Sequence, residues 1–215
     1  LKNLFFGILL FIATVIALAY AFNYQHLFNA IALTYLKGET SATIDDGVDF
    51  PSRNIEKGVA QPWQKDSLYN KTSLPKNIVD NLKSTNSASF LVIKDGKLVH
   101  EEYFGEYKPT TQTNSFSMAK AITVLLMGLA IEDQKIKSEN QKFADFYPNF
   151  NKVEHGNELT LRDLAAMEAG YYWNEDYRNP FLQNPRIYYG KNMAEALLKS
   201  PQFEAKPGSR FEYQS

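Results

Sequence analysis

The chain has 215 residues, 44% of them hydrophobic and 22% charged, which excludes wholesale disorder and leaves room for one or two domains. Lysine and arginine number 23 and aspartate and glutamate 24, a formal charge of −1; so balanced a chain has no basic stripe for a phosphate backbone, and nucleic acid is not an expected partner. Cysteine is absent, so disulfide frameworks, thiolate zinc sites and a cysteine nucleophile are excluded too.

Leu4 to Phe22 is a run of nineteen residues without a charge, long enough to cross about 30 Å of hydrocarbon as a helix. Lys2 precedes it and the next basic residue is Lys37, a bias that places the N-terminus in the cytoplasm. Ala19-Tyr20-Ala21 fits a small-x-small cleavage pattern, so a signal peptide is the rival reading. The length of the apolar run favours the anchor, and both readings export the rest of the chain. Residues 23–37 read as a juxtamembrane helix with Leu27, Phe28, Ile31 and Leu33 near helical spacing. From Gly38 to Ser73 a polar stretch with Pro51 and Pro62 has no sustained period and reads as a linker merging into an outer wrap.

Ser73-Leu74-Pro75 opens a short helix with Ile78, Val79 and Leu82 on one side, Ser73 being the expected cap and the proline lying in the first turn. Ser89–Lys94 and Lys97–Phe104 flank Asp95-Gly96, a strong hairpin signal. Met118 to Ile131 is apolar on nearly every face, so this helix is expected to be buried; its apolar part is too short to span a bilayer. Thr160-Leu161-Arg162-Asp163 is a capping-box variant opening a helix that Gly170 ends. Another helix is expected over Asn192–Lys199, stopped by Pro201, and Pro207-Gly208 turns the chain into a strand-like Ser209–Tyr213. This order predicts an α+β fold, an antiparallel sheet with a helical region beside it. The chain opens on Leu1 and stops at Tyr213-Gln214-Ser215 without a polar tail, and a fragment of a longer protein is expected.

The three histidines, His26, His100 and His155, sit in no nucleophile-elbow or metal-ligand pattern, and each is expected at the surface. Ser-His-Asp catalysis and zinc hydrolysis therefore have no support, and there is no glycine-rich phosphate loop. Glu175-Asp176 is an adjacent carboxylate pair whose members point apart, a poor basis for glycosidase chemistry. No metal or cofactor is expected.

Without histidine, a serine can be activated by a lysine one helical turn away. Two Ser-x-x-Lys patterns occur. Ser73-Leu74-Pro75-Lys76 belongs to a short polar helix, where capping suffices as an explanation. Ser117-Met118-Ala119-Lys120 starts the helix expected to be the most buried in the sequence. There Ser117 would sit at the positive end of the helix dipole, where N–H groups stabilise an oxyanion. Lys120 would be partly desolvated, which favours a neutral, proton-accepting amine. The bland alternative is that Ser117 caps the helix while Lys120 snorkels.

With Pro207-Gly208-Ser209-Arg210-Phe211-Glu212-Tyr213-Gln214-Ser215, the chain resembles the serine β-lactamase and penicillin-binding-protein superfamily. The likeness is to its branch of class C β-lactamases, D-alanyl-D-alanine peptidases, esterases and 6-aminohexanoate-dimer hydrolases. Those proteins pair Ser-x-x-Lys with a Tyr-x-Asn or Tyr-x-Ser element. Ser117–Lys120 matches the first and Tyr213-Gln214-Ser215 the second, 96 residues further on. Leu159–Gly170 resembles the helix between the motifs and Ser89–Phe104 the opening strands, so the likeness covers roughly residues 74–215.

The resemblance implies that Ser117 is the acylated nucleophile, with Lys120 and Tyr213 sharing the proton transfers. A phenol beside Lys120 would have its phenolate favoured. Tyr147-Pro148-Asn149 and Tyr172-Trp173-Asn174 also fit Tyr-x-Asn. Tyr147 is read as packing. Tyr172 and Asn174 lie in a run with seven aromatics between residues 171 and 189; they are read as substrate contacts, or equally as rings covering the core. The superfamily's third motif, on a later strand, is not reached before Ser215, and the 215 residues alone are expected to be inactive.

The sequence thus predicts three parts: a membrane anchor and juxtamembrane helix over 1–37, a linker and outer wrap over 38–73, and a partial hydrolase domain over 74–215. The function expected is an exported, single-pass, membrane-anchored serine hydrolase acting on an amide, lactam or ester, with a small-molecule or peptide-like substrate. The alternatives are a non-hydrolytic penicillin-binding or sensor module on the same scaffold, or a structural membrane protein in which Ser117 is only a cap.

Overall fold

The computed structural model describes residues 2–177, 179–198 and 201–215. In chain order the helices are α1 (Lys2–Ala21), α2 (His26–Leu33), α3 (Lys76–Ser84), α4 (Met118–Glu132), α5 (Leu161–Ala165), α6 (Gln183–Tyr189) and α7 (Met193–Leu198). The strands are β1 (Gln64–Lys65), β2 (Ser89–Lys94) and β3 (Lys97–Tyr103). The chain divides into two compact units, one of residues Asp45–Asn114 and the other of Leu1–Ile44 with Ser115–Ser215.

The Asp45–Asn114 unit holds the sheet, in the order β1-β3-β2. Strands β2 and β3 pair antiparallel across a turn in which Asp95 and Gly96 both take positive φ, 50° and 74°, the combination that matches a tight turn to strand twist. Their register slips between Val92 and Ile93. The sheet is not wholly antiparallel, because β1 pairs parallel with β3, Gln64 against Lys97 and Lys65 against Leu98. A two-residue strand inside a polar stretch carries no alternation from which such pairing could be read.

Ser73 does not cap α3. Pro75 occupies the cap position with no side-chain bond, and its carbonyl accepts from the Ile78 and Val79 N–H groups at 3.0 and 3.1 Å. Lys76 instead reaches Asp80, 2.6 Å away along the exposed helix face.

In the other unit, α1 is 20 residues long with a mean hydropathy of 2.6 over its best window, and none of its residues is buried in the protein. It is long and apolar enough to cross a membrane, and it lacks the packed surroundings of a soluble core helix. The expected continuous helix over 23–37 is interrupted. Asn23 takes a left-handed φ of 58°, α2 comes next, and Tyr35–Lys37 form a separate 3₁₀ turn.

Helix α2 docks on α6 through the Asn29 side-chain amide, which donates to the Tyr189 carbonyl at 2.9 Å, and beside it His26 Nε2 meets the Pro180 carbonyl at 2.8 Å. His26 is therefore no surface residue: it is 4% exposed. His100 and His155 are also partly covered, each against a glutamate, Glu102 and Glu158. For His26 the partner is a carbonyl 154 residues away, which residue type alone could not announce.

The core comprises Ala144, Phe150, Leu159 and Ala169, with Phe143, Tyr171, Leu198 and Phe203 against it. Phe143 and Phe203 each meet Phe150 edge-on, at 4.9 and 6.3 Å between ring centroids, a favourable aromatic geometry. The Thr160 capping box forms in full. Its hydroxyl accepts from the Asp163 N–H, and the Asp163 carboxylate accepts from the Thr160 N–H.

Helix α5 nevertheless ends at Ala165, five residues before Gly170. Met167 turns left-handed at φ 58°, and the Met167 and Glu168 carbonyls then accept from Glu212 and Gly208, each at 2.8 Å. Partners far down the chain replace the next helical turn. For the same reason Ser209–Tyr213 is not a strand: the Glu212 N–H bonds the Met167 carbonyl, with no ladder. Of the helix expected over Asn192–Lys199, Met193–Leu198 is helical and Lys199 lies outside the described residues.

Candidate active site

Helix α4 begins immediately after Ser117, whose backbone is already helical (φ −63°, ψ −15°) and whose side chain makes no capping bond. The simple cap reading therefore fails at this serine. Lys120 Nζ donates to Ser117 Oγ at 3.1 Å, as one helical turn of separation allows. The Tyr213 hydroxyl donates to the same oxygen at 2.6 Å. Lys120 Nζ also lies 5.1 Å from the centroid of the Tyr213 ring, within cation–π range. A hydroxyl, an amine and a phenol thus converge on one atom.

The Tyr213 phenol is held below its ordinary pKa, first by the hydrogen bond with Ser117, then by Lys120, whose positive charge acts in the same direction. In the phenolate form the Ser117 contact reverses, the serine O–H donating to the phenolate oxygen. That is the arrangement in which a serine proton has somewhere to go.

Tyr213 is carried to this place from the α5 side of the molecule. Besides the bonds from Gly208 and Glu212, the Gln214 side-chain amide donates to the Tyr171 carbonyl at 2.6 Å, and Tyr172 N–H donates to the Gln202 carbonyl at 2.8 Å. Gly170, at φ +63°, accepts from Glu204 at 2.9 Å. A Cβ there would lie 2.3 Å from the Ala205 carbonyl oxygen, so only glycine allows the two segments to approach this closely.

The apolar residues of α4 do not end up buried. Met118, Ile122, Leu125 and Leu129 are 76%, 57%, 66% and 55% exposed, and no residue of the helix is buried. An apolar helix is covered only where another layer lies against it, and among the described residues none packs along this stripe. Consequently Ser117 is exposed and Lys120 only half-buried.

The α4 N-terminus also differs in its free donors. The Met118 and Ala119 N–H groups are engaged by the Ser115 and Phe116 carbonyls at 3.1 and 3.0 Å. This leaves the N–H of Ser117 itself as the one beside the hydroxyl without a backbone acceptor among the described residues.

Tyr172 and Asn174 make no hydrogen bond or ring contact with Ser117, Lys120 or Tyr213 among the described residues. Asn174 Oδ1 accepts from the Asp176 N–H at 2.9 Å, a local turn, and Tyr172 lines a cavity with α2 and α6. Tyr147 packs its ring on Phe143, 4.9 Å between centroids, in keeping with a packing role.

Two further contributors carry no motif in the sequence. Glu175 accepts from the Ser215 N–H, from the Ser215 hydroxyl at 3.0 Å and from the Tyr177 hydroxyl at 2.5 Å. Burial pushes its carboxyl up, but these hydrogen bonds outweigh burial and hold it below the usual range. It tethers the last residue of the Tyr-x-Ser element. Phe116, directly before Ser117, takes a left-handed φ of 44°, strained for an aromatic residue, and stacks on Tyr188 at 6.2 Å and 14°. Glu175 is visible in the sequence only as one of the adjacent carboxylates, with nothing local to tie it to Ser215, and Phe116 carries no signal.

A family model described as Beta-lactamase matches residues 75–215. The chain belongs to the Beta-lactamase family. Among solved structures, this Beta-lactamase family chain is similar to a Bacillus anthracis protein with a provisional assignment as a 6-aminohexanoate-dimer hydrolase, at a TM-score of 0.53 and 20% identity, with 87% of this chain covered. The chain spans about half the length of that relative, 51%. No curated protein matches it.

Proposed function

We propose that the protein is an exported, membrane-anchored serine hydrolase that cleaves an amide, lactam or ester through an acyl-enzyme. The observation that carries this reading is the convergence on Ser117 Oγ of Lys120 Nζ at 3.1 Å and the Tyr213 hydroxyl at 2.6 Å. Ser117 Oγ attacks the substrate carbonyl carbon as its proton passes to the Tyr213 phenolate, whose charge Lys120 favours. The Ser117 N–H donates to the developing oxyanion. Tyr213 then returns the proton to the departing amine or alkoxide, leaving an acyl group on Ser117. Water, deprotonated by the same pair, attacks the ester and restores the serine. Helix α1 supplies the anchor, with the Ser117 side of the chain exported.

The test is covalent labelling by a fluorophosphonate and by a fluorescent β-lactam. Stoichiometric labelling of the full-length protein, reduced by about a thousandfold or more in rate by Ser117→Ala, is expected. Labelling unchanged by that substitution overturns the reading. A labelled serine that never turns over would mark the sensor alternative.

A further inference from the structure

A cavity of about 720 Å³ lies within the α1–α2 and α6 region, walled by Tyr20 at the end of α1, His26 of α2, Tyr172, Gln183 and Arg186 of α6, and Lys191. That volume is in the range of small-molecule sites. The walls are braced by the Asn29–Tyr189 and His26–Pro180 bonds and by the edge-on Tyr24–Phe181 pair at 5.4 Å.

The polar groups in this wall are incompletely matched. His26 is 4% exposed. Its Nε2 faces a carbonyl, which only accepts, so Nε2 carries the proton and Nδ1 is left as an acceptor. Burial, opposed by the Pro180 bond and helped by the nearby Arg186 charge, holds the imidazole below its ordinary pKa, which keeps it neutral. Nδ1 of His26, Oε1 of Gln183 and Nε of Arg186 are all buried without a partner among the described residues. Each such group costs about 1–3 kcal/mol, and native proteins keep few of them without a reason. The guanidinium lies 4.9 Å over the Tyr24 ring rather than beside a carboxylate.

Charge narrows the ligand. Arg186 and Lys191 are cationic and no aspartate or glutamate lines the cavity among the described residues. An anion is favoured over a zwitterion, whose ammonium would meet two like charges. We propose that this cavity binds a phosphate ester, such as a glycerol phosphate headgroup. The position of Tyr20 at the end of an apolar helix of membrane-crossing length makes an anionic phospholipid the natural source, a point that rests on the anchor reading; a soluble phosphate ester offers the same chemistry.

The whole chain, purified in detergent, is mixed with micelles doped with phosphatidylglycerol or with phosphatidylcholine, and retained lipid is read by native mass spectrometry. A parallel arm follows thermal unfolding with glycerol 1-phosphate against glycerol. Preferential retention of phosphatidylglycerol identifies a lipid headgroup. Stabilisation by glycerol 1-phosphate without lipid preference identifies a soluble ester. In either case Arg186→Gln or the exposed Lys191→Gln should weaken binding by about fivefold, the worth of one cation near such a group. The proposal is overturned if neither phosphate probe outperforms its neutral counterpart, or if both variants bind as the unaltered chain does. Lipid retention and unfolding are read independently of acylation at Ser117.

Discussion

The same four-residue pattern occurs twice in this chain and leads to two different places. At Ser73–Lys76 the lysine turns forward to Asp80 at 2.6 Å and the serine caps nothing. At Ser117–Lys120 the lysine turns back to the serine at 3.1 Å, and Tyr213 arrives from 96 residues away to bond the same oxygen. The local spacing is identical, so spacing cannot be what distinguishes them. The distinction lies in the backbone, since α3 starts only at Lys76 after a non-helical Pro75 (ψ 142°) whereas Ser117 is already helical (ψ −15°), and in the tyrosine that the rest of the fold delivers to Ser117.

Five substitutions sharpen that contrast. Lys120→Ala should slow labelling of Ser117 by about 100- to 10,000-fold, the usual worth of a proton-transfer group; Lys76→Ala, measured by the same labelling time course, should leave it unchanged. Equal losses would erase the contrast. Tyr213→Phe should cost about 100-fold and alter the pH profile. A base works only when deprotonated, and Tyr213 is held below its ordinary pKa, so the rate should rise with pH and level off below about 10, the reference tyrosine value. The variant should lack that limb.

The remaining two act on the scaffold that delivers Tyr213. Gly170→Ala forces a side chain into left-handed backbone and against the Ala205 carbonyl, and should destabilise the protein by about 2 kcal/mol or more in urea unfolding. Thr160→Ala removes half of the capping box and should cost about 1 kcal/mol by the same measurement, with labelling of the folded fraction preserved.

What is legible in the sequence is local. The Asp95-Gly96 hairpin, the Thr160 capping box and the Ser117–Lys120 turn each involve partners within a few residues, where backbone geometry alone fixes the outcome. The tyrosine partner is legible only through the family resemblance, since nothing in the spacing of 117 and 213 makes them neighbours. What is not legible depends on distant chain. The exposure of α4 is decided by what packs on it, the parallel β1–β3 pairing by two residues of a polar stretch, and the early end of α5 by the Gly208 and Glu212 N–H groups. His26 reads as a surface residue because its partner, the Pro180 carbonyl, is 154 residues away.

The left-handed twist at Phe116 has a consequence for how firmly the serine is aimed. An aromatic residue in that conformation is held against its own preference, here by the ring of Tyr188 lying nearly flat on it. A glycine would accept the twist without complaint but would offer nothing for Tyr188 to grip. The bulky residue therefore works as a cocked latch: the discomfort of its backbone and the grip on its ring are the two sides of one device, and the hydroxyl next door inherits its bearing from both.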